Sequence, residues 1–140
     1  MVLMSSIGVS RRRGFPFVVL NAAGVLDAKA EGEAAVLAAA EKAGFSWTIV
    51  RPGQLFGGPY DNNFYLGTLF QLDKDASTRG VELTAGDSVA GDTLRSTLAE
   101  VLVQALRSGA TRDAEFAVIN VGGEAPTAEE IQSKLTMALA

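Results

Sequence analysis

The stretch from Gly44 to Pro59, Gly-Phe-Ser-Trp-Thr-Ile-Val-Arg-Pro-Gly-Gln-Leu-Phe-Gly-Gly-Pro, constrains the fold of this 140-residue chain more than any other. Upstream lies a long alanine-rich segment, residues 24–43, that reads as one helix. Gly44 follows it at the position where a left-handed residue is favoured. Phe45–Val50 is apolar on both faces apart from Ser46 and Thr48, which suits a parallel strand covered by helices on both sides. The strand runs straight into Arg51-Pro52-Gly53. In an open α/β sheet, ligands bind just outside the carboxyl ends of strands, and this turn falls there.

The remaining segments fit the same plan. Val2–Val9 reads as a first buried strand, residues 10–23 as an irregular loop, and residues 52–63 as a second loop rich in Gly, Pro, Asn and Asp. A short helix is expected over Phe64–Leu72 and a strand over Val81–Ala85. Asp92 is placed to cap a helix in which Leu94, Leu98, Val101, Leu102, Ala105 and Leu106 recur at helical spacing, with Gly109 ending it. Glu115–Val121 reads as a strand. Thr127 and Glu130 form a capping box for a last helix that buries Ile131, Leu135, Ala138 and Leu139. Alternation of this kind predicts an α/β domain spanning 1–140, with a mainly parallel sheet and right-handed crossovers. Ala28, Gly32, Ala35 and Ala39 make a small-residue stripe, expected to pack on the chain's own sheet, with a subunit contact as the alternative.

Composition removes several chemistries. Cysteine and histidine are absent, which excludes disulfides, thiolate nucleophiles, histidine proton relays and the usual zinc ligands. A net charge of −4 argues against a nucleic-acid surface. Asp73 with Asp75, and Glu129 with Glu130, read as solvated carboxylates and not as a metal site. No apolar run reaches the roughly 18 residues of a membrane span, and Met1–Ser6 lacks the basic region that would make it read as a secretory signal. A soluble intracellular location follows as the expectation, in the cytoplasm or an organelle matrix such as the chloroplast stroma. Arg11-Arg12-Arg13 reads as a solvated turn, or else as a contact for a phosphate or an acidic partner.

The order of motifs resembles the NmrA-like, NAD(P)-binding branch of the atypical short-chain dehydrogenases/reductases. There a strand ends in a serine pair, as Ser5-Ser6 do here; a helix with Tyr-x-x-x-Lys follows, and then a strand ending in an Arg-Pro-Gly-like turn. Gly91-Asp92-Thr93-Leu94-Arg95 looks like the start of the family's later helix. The resemblance implies a Rossmann-like doubly wound fold and an NADP or NAD cofactor. By it, Lys29 holds the nicotinamide ribose and lowers the pKa of a neighbouring acid. Ser5 and Ser6 orient a substrate carbonyl or that acid, Ser6 more so because Gly8 follows it at the family's spacing. Arg51, Pro52, Gly53 and Leu55 border the nicotinamide. Arg51 has a second reading, an ion pair that fixes the loop, and Lys29 taken alone reads as a surface lysine.

Two departures qualify what the resemblance implies. Val25 stands where the family's catalytic tyrosine falls, and valine has no proton to give to a developing alkoxide, an effect worth about 10²–10⁴ in rate. Tyr60 and Tyr65 are the only substitutes. The glycine-rich turn that holds a dinucleotide pyrophosphate at a helix N-terminus also has no counterpart. The chain therefore reads as the C-terminal portion of such a fold, without the N-terminal dinucleotide-binding half. Two functions fit: an NAD(P)-binding oxidoreductase-like protein with little activity alone, or a non-catalytic subunit of a larger complex. In both, the outer edge of the Val2–Val9 strand is expected to be open and to invite a protein partner.

Overall fold

The computed structural model describes residues 1–57 and 78–140. The expected helix over Phe64–Leu72, Tyr60, Tyr65, Asp73 and Asp75 lie outside the described residues.

Four strands form the central sheet: β1 (Val2–Met4), β2 (Thr48–Pro52), β6 (Ala114–Val121) and β4 (Gly80–Ala85), in that spatial order. β1, β2 and β6 run parallel, and β4 closes the far side antiparallel to β6. Two short strands, β3 (Gln54–Phe56) and β5 (Asp92–Leu94), pair in parallel as a separate small sheet. Helices α2 (Val25–Ala43), α3 (Arg95–Arg107) and α4 (Ala128–Ala138) cover the central sheet, and α1 (Phe17–Leu20) is a single turn before α2. This is an α/β fold with a mostly parallel sheet, as the alternation predicts.

Register assigns the two faces. Val50, Phe116 and Val118 project to one side, where they join Leu98, Val101 and Ala105 of α3 with Ile131 and Leu135 of α4 in a dry apolar cluster. Ser5, Arg51 and Ala117 stand on the other side, under α2; Ala117 meets Ile7, Val9, Phe17 and Leu26.

Several boundaries differ from the sequence reading, each for a physical reason. The first strand ends at Met4, because Gly8 takes a left-handed φ of 86° and the chain turns there. The loop over 10–23 contains α1, whose Phe17 is buried. β2 begins at Thr48 and includes Pro52, since Gly44–Trp47 lead up to the sheet before pairing begins. The glycine-rich segment after Pro52 contains β3, and its partner β5 contains Asp92, so Asp92 does not cap α3. Leu94 is the N-cap residue, with no side-chain bond. α3 ends at Arg107, and Gly109 instead opens a 3₁₀ turn. On α3, Leu106 is 70% exposed and Gln104 takes the buried place, accepting from Gln132 Nε2 at 2.9 Å. The capping box at Thr127 and Glu130 forms as expected. The small-residue stripe does not pack on the sheet: Ala28, Gly32, Ala35 and Ala39 are exposed, and α2 buries Leu26, Glu33, Val36 and Ala40 instead.

Candidate functional site

The carboxyl rim of β1 and β2 brings the predicted segments together. Ser5 N–H donates to Val50 O at 2.7 Å, and Ile7 N–H donates to Pro52 O at 3.0 Å, so the serine pair lies beside the Arg-Pro-Gly bend. Ser5 is buried, and its hydroxyl has no hydrogen-bond partner among the described residues. Ser6 is half-buried and its hydroxyl turns back to Ile7 O at 3.1 Å.

Arg51 is 2% exposed and lies against α2. Its Nε and Nη2 donate to the two carboxylate oxygens of Glu33 at 2.9 and 2.8 Å, and Nη2 also donates to Glu115 at 2.7 Å. This bidentate fork is the geometry that makes an arginine–carboxylate pair both strong and directional. Burial alone would lower the guanidinium pKa, but the hydrogen bonds to Glu33 and Glu115 outweigh it and raise the pKa further, so the group stays charged. Of the two readings of Arg51, its side chain makes the ion pair.

Lys29 sits one helical turn before Glu33 on α2 and is half-buried. α2 runs back from the carboxyl rim toward the amino end of β2, so the roughly 6 Å rise over four residues places Lys29 nearer the rim than the Arg51–Glu33 pair. Val25, a further turn toward the rim, is 53% exposed.

Past Pro52 the chain leaves the central sheet. Gly53 N–H donates to Thr93 Oγ1 at 2.8 Å, and that hydroxyl donates to Val118 O at 2.7 Å, so a side chain bridges two strands where the backbone ladder ends. A Cβ on Gly53 would fall 2.0 Å from Gly91 O, so only glycine allows this crossing. Leu55, on β3, is half-buried against the apolar cluster of the α3–α4 face. Asn120 pins the small sheet from the other side: its Oδ1 accepts from Leu94 N–H at 2.7 Å.

The loop after β1 is tied down by Asp87, whose side chain is 1% exposed. Its carboxylate accepts from Gly8 N–H at 2.8 Å, Ser10 N–H at 2.9 Å and Arg11 Nη2 at 3.1 Å. The Arg11 guanidinium lies 4.5 Å from the centroid of Phe17, a cation–π placement. Arg12 bonds Asp27 at 2.8 Å, and Asn21 followed by Arg12 holds the Asp27 carboxyl below its ordinary pKa. Arg11 and Arg12 are thus engaged in holding loop to helix, and Arg13 is exposed.

Sequence reasoning missed Glu33, Glu115, Thr93 and Asp87. Only Glu33 carried a local signal, an acid at four residues from Lys29 on the face of α2 that turns inward. Two surface grooves lie elsewhere, one between β4 and α4 around Leu83 and Met137, the other near the amino end of β2 around Trp47 and Asp113. Among the described residues, no helix is long and apolar enough to cross a membrane.

With the geometry in hand, the architecture can be set beside known proteins. The fold is Rossmann-like. It superposes on the oxidoreductase ylbE from Lactococcus lactis with a TM-score of 0.63 at 17% identity, over 99% of this chain and 52% of that one. A protein assigned as an NAD-dependent epimerase/dehydratase from Bacillus halodurans gives a TM-score of 0.62 at 21% identity, over 94% of this chain and 50% of that one. The chain thus spans about half the length of these structures. No protein-family model matches the sequence, and no curated protein matches it.

Proposed function

We propose that this chain is an NAD(P)-binding domain of the atypical short-chain dehydrogenase/reductase type, contributing the nicotinamide end of a cofactor site and having little activity alone. The observation that carries this reading is the meeting of Ser5-Ser6 with Pro52-Gly53 at one rim, through the Ile7–Pro52 hydrogen bond, below a helix that bears Lys29. The fold's likeness to two solved proteins, named as an oxidoreductase and as an NAD-dependent epimerase/dehydratase, supports it.

In this reading Lys29 donates to the nicotinamide ribose, and Ser6 orients the reacting carbonyl. The orphaned Ser5 hydroxyl supplies a buried polar group for which a ligand atom is a suitable partner. Arg51 acts through position: clamped by Glu33, it fixes α2 against β2 and so sets the height of Lys29 over the bend. Pro52, Gly53 and Leu55 border the nicotinamide through their backbone.

A second reading has one specific observation in its favour. Val25 occupies the tyrosine position and offers no acid, which suits a non-catalytic subunit that keeps the fold inside a larger complex. Isothermal titration calorimetry with NADPH separates the two. Trp47 precedes β2 at the strand's opposite end, so its fluorescence is a poor reporter of the rim. Saturable heat is expected, weakened about tenfold or more by Lys29→Met, the loss of one charge-assisted hydrogen bond. A flat titration at millimolar nucleotide would leave the scaffold reading standing.

A further inference from the structure

A groove of about 480 Å³ lies at the amino end of β2, where α2 finishes. Leu37, Ala40 and Glu41 line it from α2, Phe45 and Trp47 from the segment leading to β2, and Asp113 from just before β6. At about 100° per residue, these α2 positions fall on the flank that also carries Leu26 and Ala30, which pack in the cluster around Ala117 of β6. The groove therefore opens on the β6 side of α2, away from the outer edge of β1.

Its chemistry is aromatic and negative. Phe45 and Trp47 are half-buried, so part of each aromatic side chain stays open to the groove. The face of an aromatic ring is negative and attracts a cation. Glu41 and Asp113 are exposed, and neither has an ion-pair partner among the described residues. α2 ends here at Gly44, whose N–H donates to Ala40 O at 2.8 Å, and the C-terminal end of a helix carries roughly half a negative charge. Lys42 is turned about 100° beyond Glu41, and neither it nor Arg112 lines the groove. Ser46 O is already taken by the Met1 amine at 2.6 Å, which leaves the two carboxylates to meet a ligand's charge.

Asp113 is held there against its backbone preference. With φ 55° it is the single non-glycine in the left-handed region among the described residues. Its N–H donates to Trp47 O at 2.7 Å, and its Oδ1 accepts from Trp47 N–H at 3.1 Å. This reciprocal pair fixes the carboxylate beside the tryptophan.

We infer that the groove binds a small organic cation, an alkylammonium whose charge lies between Glu41 and Asp113 and whose apolar part rests on Phe45, Trp47 and Leu37. A quaternary ammonium suits it best, because its charge is spread over methyl groups that can lie directly on a ring. An anion meets the same charges as repulsion. The groove is at the opposite end of β2 from the Ser5–Pro52 rim, so this inference and the nucleotide reading can each fail without the other.

Trp47 is the chain's sole tryptophan, and its emission reports this groove directly. Choline is the probe, and the control is its uncharged isostere, in which carbon replaces the quaternary nitrogen. A saturable change in emission is expected with choline at millimolar concentration, and binding about tenfold weaker or worse with the isostere. Glu41→Gln and Asp113→Asn each remove one charge with little change of shape; asparagine tolerates the left-handed φ and can still accept from Trp47 N–H. Each should weaken choline by about threefold or more, whereas Lys42→Gln should not weaken it. Saturation-transfer NMR on the choline methyl groups supplies a second readout where emission stays unchanged. Equal binding of choline and the isostere, indifference to both carboxylate variants, or silence in both measurements would overturn the inference.

Discussion

The two faces of the central sheet are held by different physics. Under α3 and α4, Val50, Phe116, Val118, Val101 and Leu135 pack in one apolar cluster. Under α2, a smaller apolar cluster around Ala117 is joined by Arg51, forked onto Glu33 and touching Glu115. An apolar face tolerates small shifts of a helix, because burial is nearly independent of direction. A forked ion pair fixes both distance and angle. The helix that bears Lys29 is thus the one whose height is set by a directional bond, which is what the role proposed for Lys29 requires.

That contrast can be broken directly. Arg51→Met strands the Glu33 carboxylate in the core and is expected to lower unfolding free energy by about 3–5 kcal/mol in urea titration, whereas Arg51→Met with Glu33→Leu should recover most of it. Recovery would sharpen the comparison, since the pair then supplies geometry more than stability; a double variant as weak as the single would refute it. On the dry face, Leu135→Ala is expected to cost about 2–5 kcal/mol by a cavity alone, with no second substitution on the polar face rescuing it. The smallest effect concerns the loop beside α2. Asp27 has a lowered folded-state pKa. Its contribution is therefore present above its unfolded value, about 3.9, and fades as pH falls through the folded value. Asp27→Asn should flatten the acid limb of the stability profile slightly below about pH 4, and an unchanged limb would remove Asp27 from the account.

Legibility followed locality. α2 was readable because a long alanine-rich run and Gly44, with φ 71°, state their own boundaries. The capping box did the same for α4. β3 and β5 were unreadable, because each is three residues long and its only justification is a partner some forty positions away. Arg51-Pro52-Gly53 was read as a turn, whereas Arg51 and Pro52 belong to β2 and Gly53 leads into β3; the serine pair was visible as a strand end. The reason the arginine is there was not visible: a buried guanidinium is defined by its carboxylates, and Glu33 and Glu115 are remote in sequence. Asp87 shows the same limit, since Gly86-Asp87-Ser88 reads as a surface turn while its carboxylate is shut away under residues 8–11. The small-residue stripe was expected to pack on the sheet and is exposed instead, because periodicity gives an angle and no neighbour.

Thr93 carries a last implication. With its hydroxyl wedged between Gly53 and Val118, the sheet is already forked before any molecule arrives. In the proposed reading, a nucleotide at this rim meets a parting of the strands that folding itself has made, and none of its affinity is spent prising them apart.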